Sequence, residues 1–233
     1  MLHFDTELDG LKQKLLAMAS HAETAVNQAV RALMERDHNL ALQVKDNDRV
    51  LDQFEIEIDD LAIHLLAKAP LASDLRLITV AMKISQNLER VGDEAAKIAN
   101  RARDLSQEPP LKQSAAIPDM ARLVVEMLKQ SLDSFVNHDP AAARALIPRD
   151  KEVDSLNKQI QRELAHLMIA DPEAITRCLN LMVVSKSLER IADHATNVAE
   201  EVVYLCEAQD IRHPGSSSKP QAPSAREAPS RKL

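Results

Sequence analysis

The sequence predicts an all-α chain of two tandem three-helix bundles related by internal pseudo-symmetry, and three observations carry that prediction. Its 233 residues include only 3 Gly, 1 Tyr and 3 Phe and no Trp, so tight hairpin turns and aromatic-rich strands have little material. Ala, Leu, Glu, Lys, Arg and Gln dominate instead, and these favour helix. The pentapeptide Glu89-Arg90-Val91-Gly92-Asp93 returns 100 positions later as Glu189-Arg190-Ile191-Ala192-Asp193, with Met82/Met182, Ser85/Ser185, Leu88/Leu188, Ala95/Ala195, Ala99/Ala199 and Leu105/Leu205 at the same shift. At a shift of 102 the upstream parts align as well, through Asp37/Asp139, Asp48/Asp150, Asp52/Asp154, Ile58/Ile160, His64/His166 and Pro70/Pro172. The repeated unit is about half the chain.

Each unit divides into three helices. The first is expected over about 5–36, and Asp37 is placed to cap a second that runs to about 68. Pro70 to Ser73 interrupt the chain, with Ser73 as the cap of a third helix over about 74–107. Pro109-Pro110 and Pro118 mark a linker before a fourth helix over about 119–137. Asp139-Pro140 supplies an N-cap followed by proline in the first turn of a fifth helix, and Asp171-Pro172 repeats the signal for a sixth. Pro148 falls inside the fifth helix, where it removes a backbone hydrogen bond, so a bend is expected just before Asp150. The predicted organisation is a first bundle over 1–108, a linker over 109–118, a second bundle over 119–213, and a polar, proline-rich disordered tail over 214–233. Each half has enough apolar residues for a core of its own, packed as an antiparallel up-down-up bundle.

Composition excludes several functions. With 3 glycines in all, no glycine-rich nucleotide-binding loop can be built, so no ATP site is expected. The formal charge is −7, but residues 212–233 carry five basic side chains against Glu227, and removing that +4 leaves −11 on residues 1–211. Such an acidic body argues against nucleic-acid partners and suits cations or basic protein surfaces. Cys178 and Cys206 fall on one helix roughly 40 Å apart, too far to bridge, which fits reduced thiols and a cytoplasmic setting. No apolar run reaches membrane-spanning length, and the amino-terminal residues do not resemble a signal peptide.

The candidate chemistry lies in carboxylates. Residues four apart share a helix face, so Glu89 and Asp93 project together, as do Glu189 and Asp193. Asp48/Asp52 on the second helix and Asp150/Asp154 on the fifth have the same spacing, giving each bundle two acid pairs on two helices. Small residues flank the acids: Gly92 and Ala96 in one half, Ala192 and Thr196 in the other, with Asn197 continuing the second line. Carboxylate-only sets favour hard cations such as Mg²⁺, Ca²⁺, Mn²⁺ or iron. The plainer alternative is a solvated acidic face, or pairing with Arg90, Arg190, Lys97 and Lys151. Glu163-Leu164-Ala165-His166 spells the ExxH of di-iron bundles, but Leu61 stands where a second Glu is needed, so His64 and His166 are read as interhelical packing residues. His194 has no counterpart at Glu94.

These residues carry a resemblance. Ala72-Ser73-Asp74-Leu75-Arg76, the two Glu-Arg-x-x-Asp segments, the run Asp193-His194-Ala195-Thr196-Asn197-Val198-Ala199-Glu200, and Gln209-Asp210-Ile211-Arg212-His213 together resemble the PhoU family over about 5–213. The resemblance implies a cytoplasmic, often dimeric, non-enzymatic negative regulator of phosphate uptake and of the phosphate-starvation response. It implies as partners the ATPase subunit of a phosphate ABC transporter and a membrane sensor histidine kinase. It also implies sites for Mg, Mn, Zn or Fe ions on Asp48, Asp52, Glu89 and Asp93 in the first half, and on Asp150, Asp154, Glu189, Asp193 and Asn197 in the second. Lys97 where the second half has Asn197 predicts a weaker first site. A ferritin-like di-iron bundle and a purely structural helical module are the alternative readings.

Overall fold

The computed structural model describes residues 2–47, 49–68, 71–111 and 116–212. Asp48, Pro70 and the 214–233 tail therefore lie outside the described residues. Among the described residues there are eight α-helices, two short 3-10 turns and no strand. The helices are α1 (Leu2–Glu35), α2 (His38–Asn47), α3 (Arg49–Leu66), α4 (Ala72–Ser106), α5 (Ala116–Asn137), α6 (Pro140–Leu146), α7 (Asp150–Ala170) and α8 (Ile175–Glu207).

Apolar spacing explains the packing. Helix α1 buries Leu11, Leu15, Met18, Ala22, Val26 and Ala29 along one line at three- and four-residue intervals. That line rests on α4, and α2 with α3 complete the first bundle; α5, α6 and α7 pack on α8 in the same way. Helices α4 and α8 are buried on two sides because each also packs against the other. Lys83 meets Glu201, Asn87 meets Asn197, Glu94 meets Arg190 and Arg101 meets Asn180. Numbers rise on α4 as they fall on α8, so the helices are antiparallel, and the series centres on Gly92 and Ala192. The repeat axis thus crosses the seam at the level of these two residues. Buried side chains of both halves form one contiguous cluster, so the expectation of a separate core in each half is corrected to one shared core seamed by α4 and α8.

The repeat preserves its caps. Asp37 Oδ1 accepts hydrogen bonds from the amides of Asn39 and Leu40 at 2.9 and 3.0 Å, and Asp139 Oδ1 accepts from Ala141 and Ala142 at 3.0 Å each. Each cap follows a residue in the left-handed region, Arg36 with φ 57° and His138 with φ 50°. The expected bend before Asp150 is a 3-10 turn over Ile147–Arg149 that carries Pro148. The second predicted helix is described on either side of Asp48, as α2 and α3, and one expectation needs correction. Ser73 lies inside α4, whose N-cap is Leu71 with no side-chain hydrogen bond, so that helix starts without the expected polar cap.

Helix α8 ends at Ala208 in a left-handed conformation, and the chain returns toward the bundle. Ile211 packs on the core while the Arg212 guanidinium grips Asp210 and reaches buried Glu201 at 2.8 Å. Cys178 is buried and Cys206 exposed, both unpaired and both on α8. No described helix is long and apolar enough to cross a membrane.

Candidate functional site

In the first half, α3 brings Asp52, Glu55 and Asp59 toward Glu89 and Asp93 on α4 closely enough that the acids perturb one another. Glu89 is pushed up to about 7 by burial and then by Asp93, Glu55 and Asp52, with Arg90 opposing. Glu55 is raised by burial and by Asp59 and Asp52. In the second half, α7 presents Asp150 and Asp154 to Glu189 and Asp193 of α8. Burial, then Asp154 and Glu189, raise Asp150. Asp193 is pushed up to about 6 by burial and by Asp150, Glu189 and Asp154, with Lys186 opposing. Asp193 keeps an exposed face, so repulsion from its three neighbours is the firmer cause.

The acids of each predicted set thus face one another across a helix pair, with Asp48 outside the described residues. Neutralisation within the protein is sparse. Among the described residues, Asp52, Glu89, Asp93, Asp150, Asp154 and Asp193 form no ion pair, and Glu189 pairs only with Lys186 on its own helix. The acids have not closed into a coordination shell, since among the described residues no three carboxylate, imidazole or thiolate groups converge as a ready metal-binding cluster. They are coupled by repulsion, which is the state that a hard cation relieves.

Other expected residues fall elsewhere. Lys97, read as a drain on the first set, gives its ammonium to Glu94 at 2.9 Å. Asn197 stands beside Asp150 and Asp193 in a common cleft but commits its amide N–H to Asn87 at 3.1 Å. His64 and His166 are both exposed rather than packed. The His64 ring lies 2.6 Å from the Lys68 amine and 3.6 Å from Glu7 of α1. Glu163 is also exposed and accepts from Gln159, so the ExxH pair serves no assembled site.

Glu55 was missed as a member of the first set, although its three-residue spacing from Asp52 was a readable signal. Glu94 and Glu201 were missed too. Each is 4% exposed, a degree of burial rare for an acid unless it is paired. Glu94 accepts from Lys97 and, at 3.1 Å, from Arg190 across the repeat axis. Burial alone would raise Glu94, but Lys97, Ser187 and Arg190 outweigh it and hold the group below the usual carboxylate range. Glu201 accepts from Lys83 at 3.2 Å and from Arg212.

Around the axis lies an open cleft of about 670 Å³. Arg90, Lys97 and Arg190 are its cations. Asp93 enters from the first acid set, Asp150 and Asp193 from the second, and Glu94, His194, Thr196 and Asn197 complete the lining. Burial and then nearby Arg90 depress the His194 imidazole, whose Nδ1 lies 3.0 Å from Asn87 Oδ1. That oxygen can only accept, so the ring proton sits on Nδ1.

A family model described as PhoU domain matches the chain twice, over residues 15–102 and 117–202. The "Phosphate-specific transport system accessory protein PhoU homolog" of Pseudomonas aeruginosa is 42% identical over 214 residues, spanning 91% of this chain and 88% of the relative. The crystal structure of PhoU from the same organism superposes with a TM-score of 0.86 at 41% identity, over 88% of this chain and all of that one. The phosphate transport system regulatory protein PhoU from Streptococcus pneumoniae gives a TM-score of 0.82 at 28% identity, over 89% of this chain and 99% of that one.

Proposed function

The chain belongs to the PhoU family, and from that premise we propose that it is an accessory regulator of phosphate transport whose two carboxylate sets hold hard metal ions. One observation carries the metal reading: each half gathers acids from two helices that repel one another and lack cationic partners across the bundle. The donor set suits the ions. Carboxylate oxygens without thiolate or imidazole favour Mg, Mn or Fe over Zn.

When bound, such an ion supplies positive charge that several carboxylates share. The chain's own residues do the rest. Glu89 and Asp193, protonated near neutral pH more than ordinary acids, release protons as they become ligands. The acids of α3 and α4, and of α7 and α8, then attract a common centre instead of repelling, which tightens each helix pair and changes the charge of the face it presents. That face is the surface offered to partners, the transporter's ATPase subunit and a membrane sensor histidine kinase, in a non-catalytic, cytoplasmic and dimeric negative regulator of the starvation response.

Deleting the gene and measuring alkaline phosphatase in high phosphate tests the regulatory role, with derepression expected. Complementation with Glu189→Gln/Asp193→Asn tests the role of the acids, and normal repression by that variant, with unchanged metal content, would overturn the metal reading.

A further inference from the structure

The two acid sets differ in what already touches them. On α8 the Lys186 ammonium forms an ion pair with Glu189, one turn along the same helix, and it also opposes the charge of Asp193. The lysine side chain is 51% exposed and the glutamate 15%, so a solvent-facing cation rests on a sheltered ligand. The equivalent position 100 residues earlier is Gln86, which is exposed and carries no charge. Arg90 tempers Glu89 and Glu55, yet among the described residues it closes no ion pair with either. The first set also has Glu55 and Asp59 where the second has Asn157 and Gln161. The first set therefore offers more carboxylate charge and no ligand held by a cation. The second offers less, and one of its ligands is engaged.

A metal ion and an ammonium group compete for Glu189 Oε2, because that oxygen cannot serve both and two cations held side by side repel. An exposed lysine three residues away holds its acid weakly, so it lowers the affinity of the set without closing it. Building on the metal reading of the carboxylates, we propose that Lys186 is a built-in competitor at the second set, so that divalent cations fill the first set at low concentration and the second only at higher concentration.

The displaced lysine alters the surface. Lys186 and Arg190 are four residues apart and share a face of α8, and the Arg190 side chain is half exposed. While the second set is empty, Glu189 neutralises Lys186. Once an ion takes Glu189, the ammonium stands free beside Arg190. The second set thus converts cation concentration into a change of charge on α8, whereas the first, already filled, holds α3 to α4.

Calorimetric titration of the full metal-free chain with Mn²⁺ tests the order of filling. The wild type is expected to show two classes of site separated by at least about tenfold in affinity, the weaker one lost in Glu189→Gln/Asp193→Asn. Lys186→Gln installs the first half's residue and is expected to tighten the weaker class by about three- to tenfold. Gln86→Lys places the same lysine three residues before Glu89 and is expected to weaken the tighter class by a similar factor. Lys186→Arg keeps the cation and is expected to keep the wild-type gap. Both positions are exposed, so the metal-free unfolding midpoint is expected to stay close to that of the wild type. A weaker class untouched by Lys186→Gln, or one lost in Glu89→Gln/Asp93→Asn instead, would overturn the competitor while leaving the carboxylates as metal ligands. Absence of any saturable Mn²⁺ binding would overturn the metal reading and the competitor with it.

Discussion

The two halves repeat their acids but not their neutralisation. Around Glu89 and Asp93 the first half adds Glu55 and Asp59. At the positions 102 residues on, the second half has Asn157 and Gln161. Asn157 is buried, and the Gln161 amide donates to Met182 O at 3.2 Å and Ser185 Oγ at 2.9 Å, so it ties α7 to α8. Lys186 adds a cation beside Glu189, where the first half has Gln86. One half thus ties its acid-bearing helices with the Gln161 amide and offsets Glu189 with a lysine on the same helix, while the other sets five carboxylates against one another. A duplicated ligand spacing has been set in two differently tensioned frames, and the first half should depend more on a bound cation.

The largest expected effect asks whether the halves are separable at all. Leu88→Ala and Leu188→Ala remove equivalent, fully buried side chains, and each should cost about 2–5 kcal/mol. With one shared core, denaturant unfolding stays a single transition that either variant shifts. Two transitions, each moved by one variant only, would restore independent bundles.

Cation removal comes next. Chelation should lower the unfolding midpoint of the wild type, and Glu89→Gln/Asp93→Asn should abolish more of that loss than Glu189→Gln/Asp193→Asn. Equal losses would remove the asymmetry drawn from Glu55, Asp59 and Lys186.

The pH response of the metal-free chain follows from the raised acids. A carboxyl with a folded pKa above its unfolded one binds its proton more tightly when folded, so acidification stabilises the fold through that group. For Glu89 the gain is made as pH falls from about 7 toward its ordinary 4.5; for Asp193 it is made from about 6 toward 3.8. Thermal midpoints measured across that range should rise on acidification near neutrality, and Glu89→Gln should flatten the upper part of the curve. A midpoint that falls throughout would show that other groups outweigh these two.

The smallest effect tests the amide exchange directly. Gln161→Glu recreates the first half's acid and removes a donor to α8, which should cost about 1 kcal/mol in chelator. Added Mg²⁺ should recover part of it.

Much of this was legible in the residues. Glycine scarcity and the two repeat registers gave the helical class and its duplication, and Asp37 and Asp139 were recognisable caps because capping is local. The Pro148 turn was readable for the same reason. Leu71 as the cap of α4 was not, since Ser73, the expected polar cap, lies inside the helix and Leu71 offers no side-chain hydrogen bond. The acid pairs were visible from their four-residue spacing, but their neighbours across the helices were not. Lys97 shows why: its position on α4 suggested an influence on the first set, yet it pairs with Glu94 one turn back on the same helix. Glu94 and Glu201 were hidden because only the antiparallel seam shows that Arg190 and Lys83 reach them from the other half.

The central claim is that the repeated acids are cation ligands shared between helices. Metal-to-protein stoichiometry, measured on untagged protein equilibrated with Mn²⁺, tests it most directly in the wild type and the two paired variants. The account predicts saturable binding, with the sites of one half lost in Glu89→Gln/Asp93→Asn and those of the other lost in Glu189→Gln/Asp193→Asn. Stoichiometry unchanged by both substitutions would contradict it.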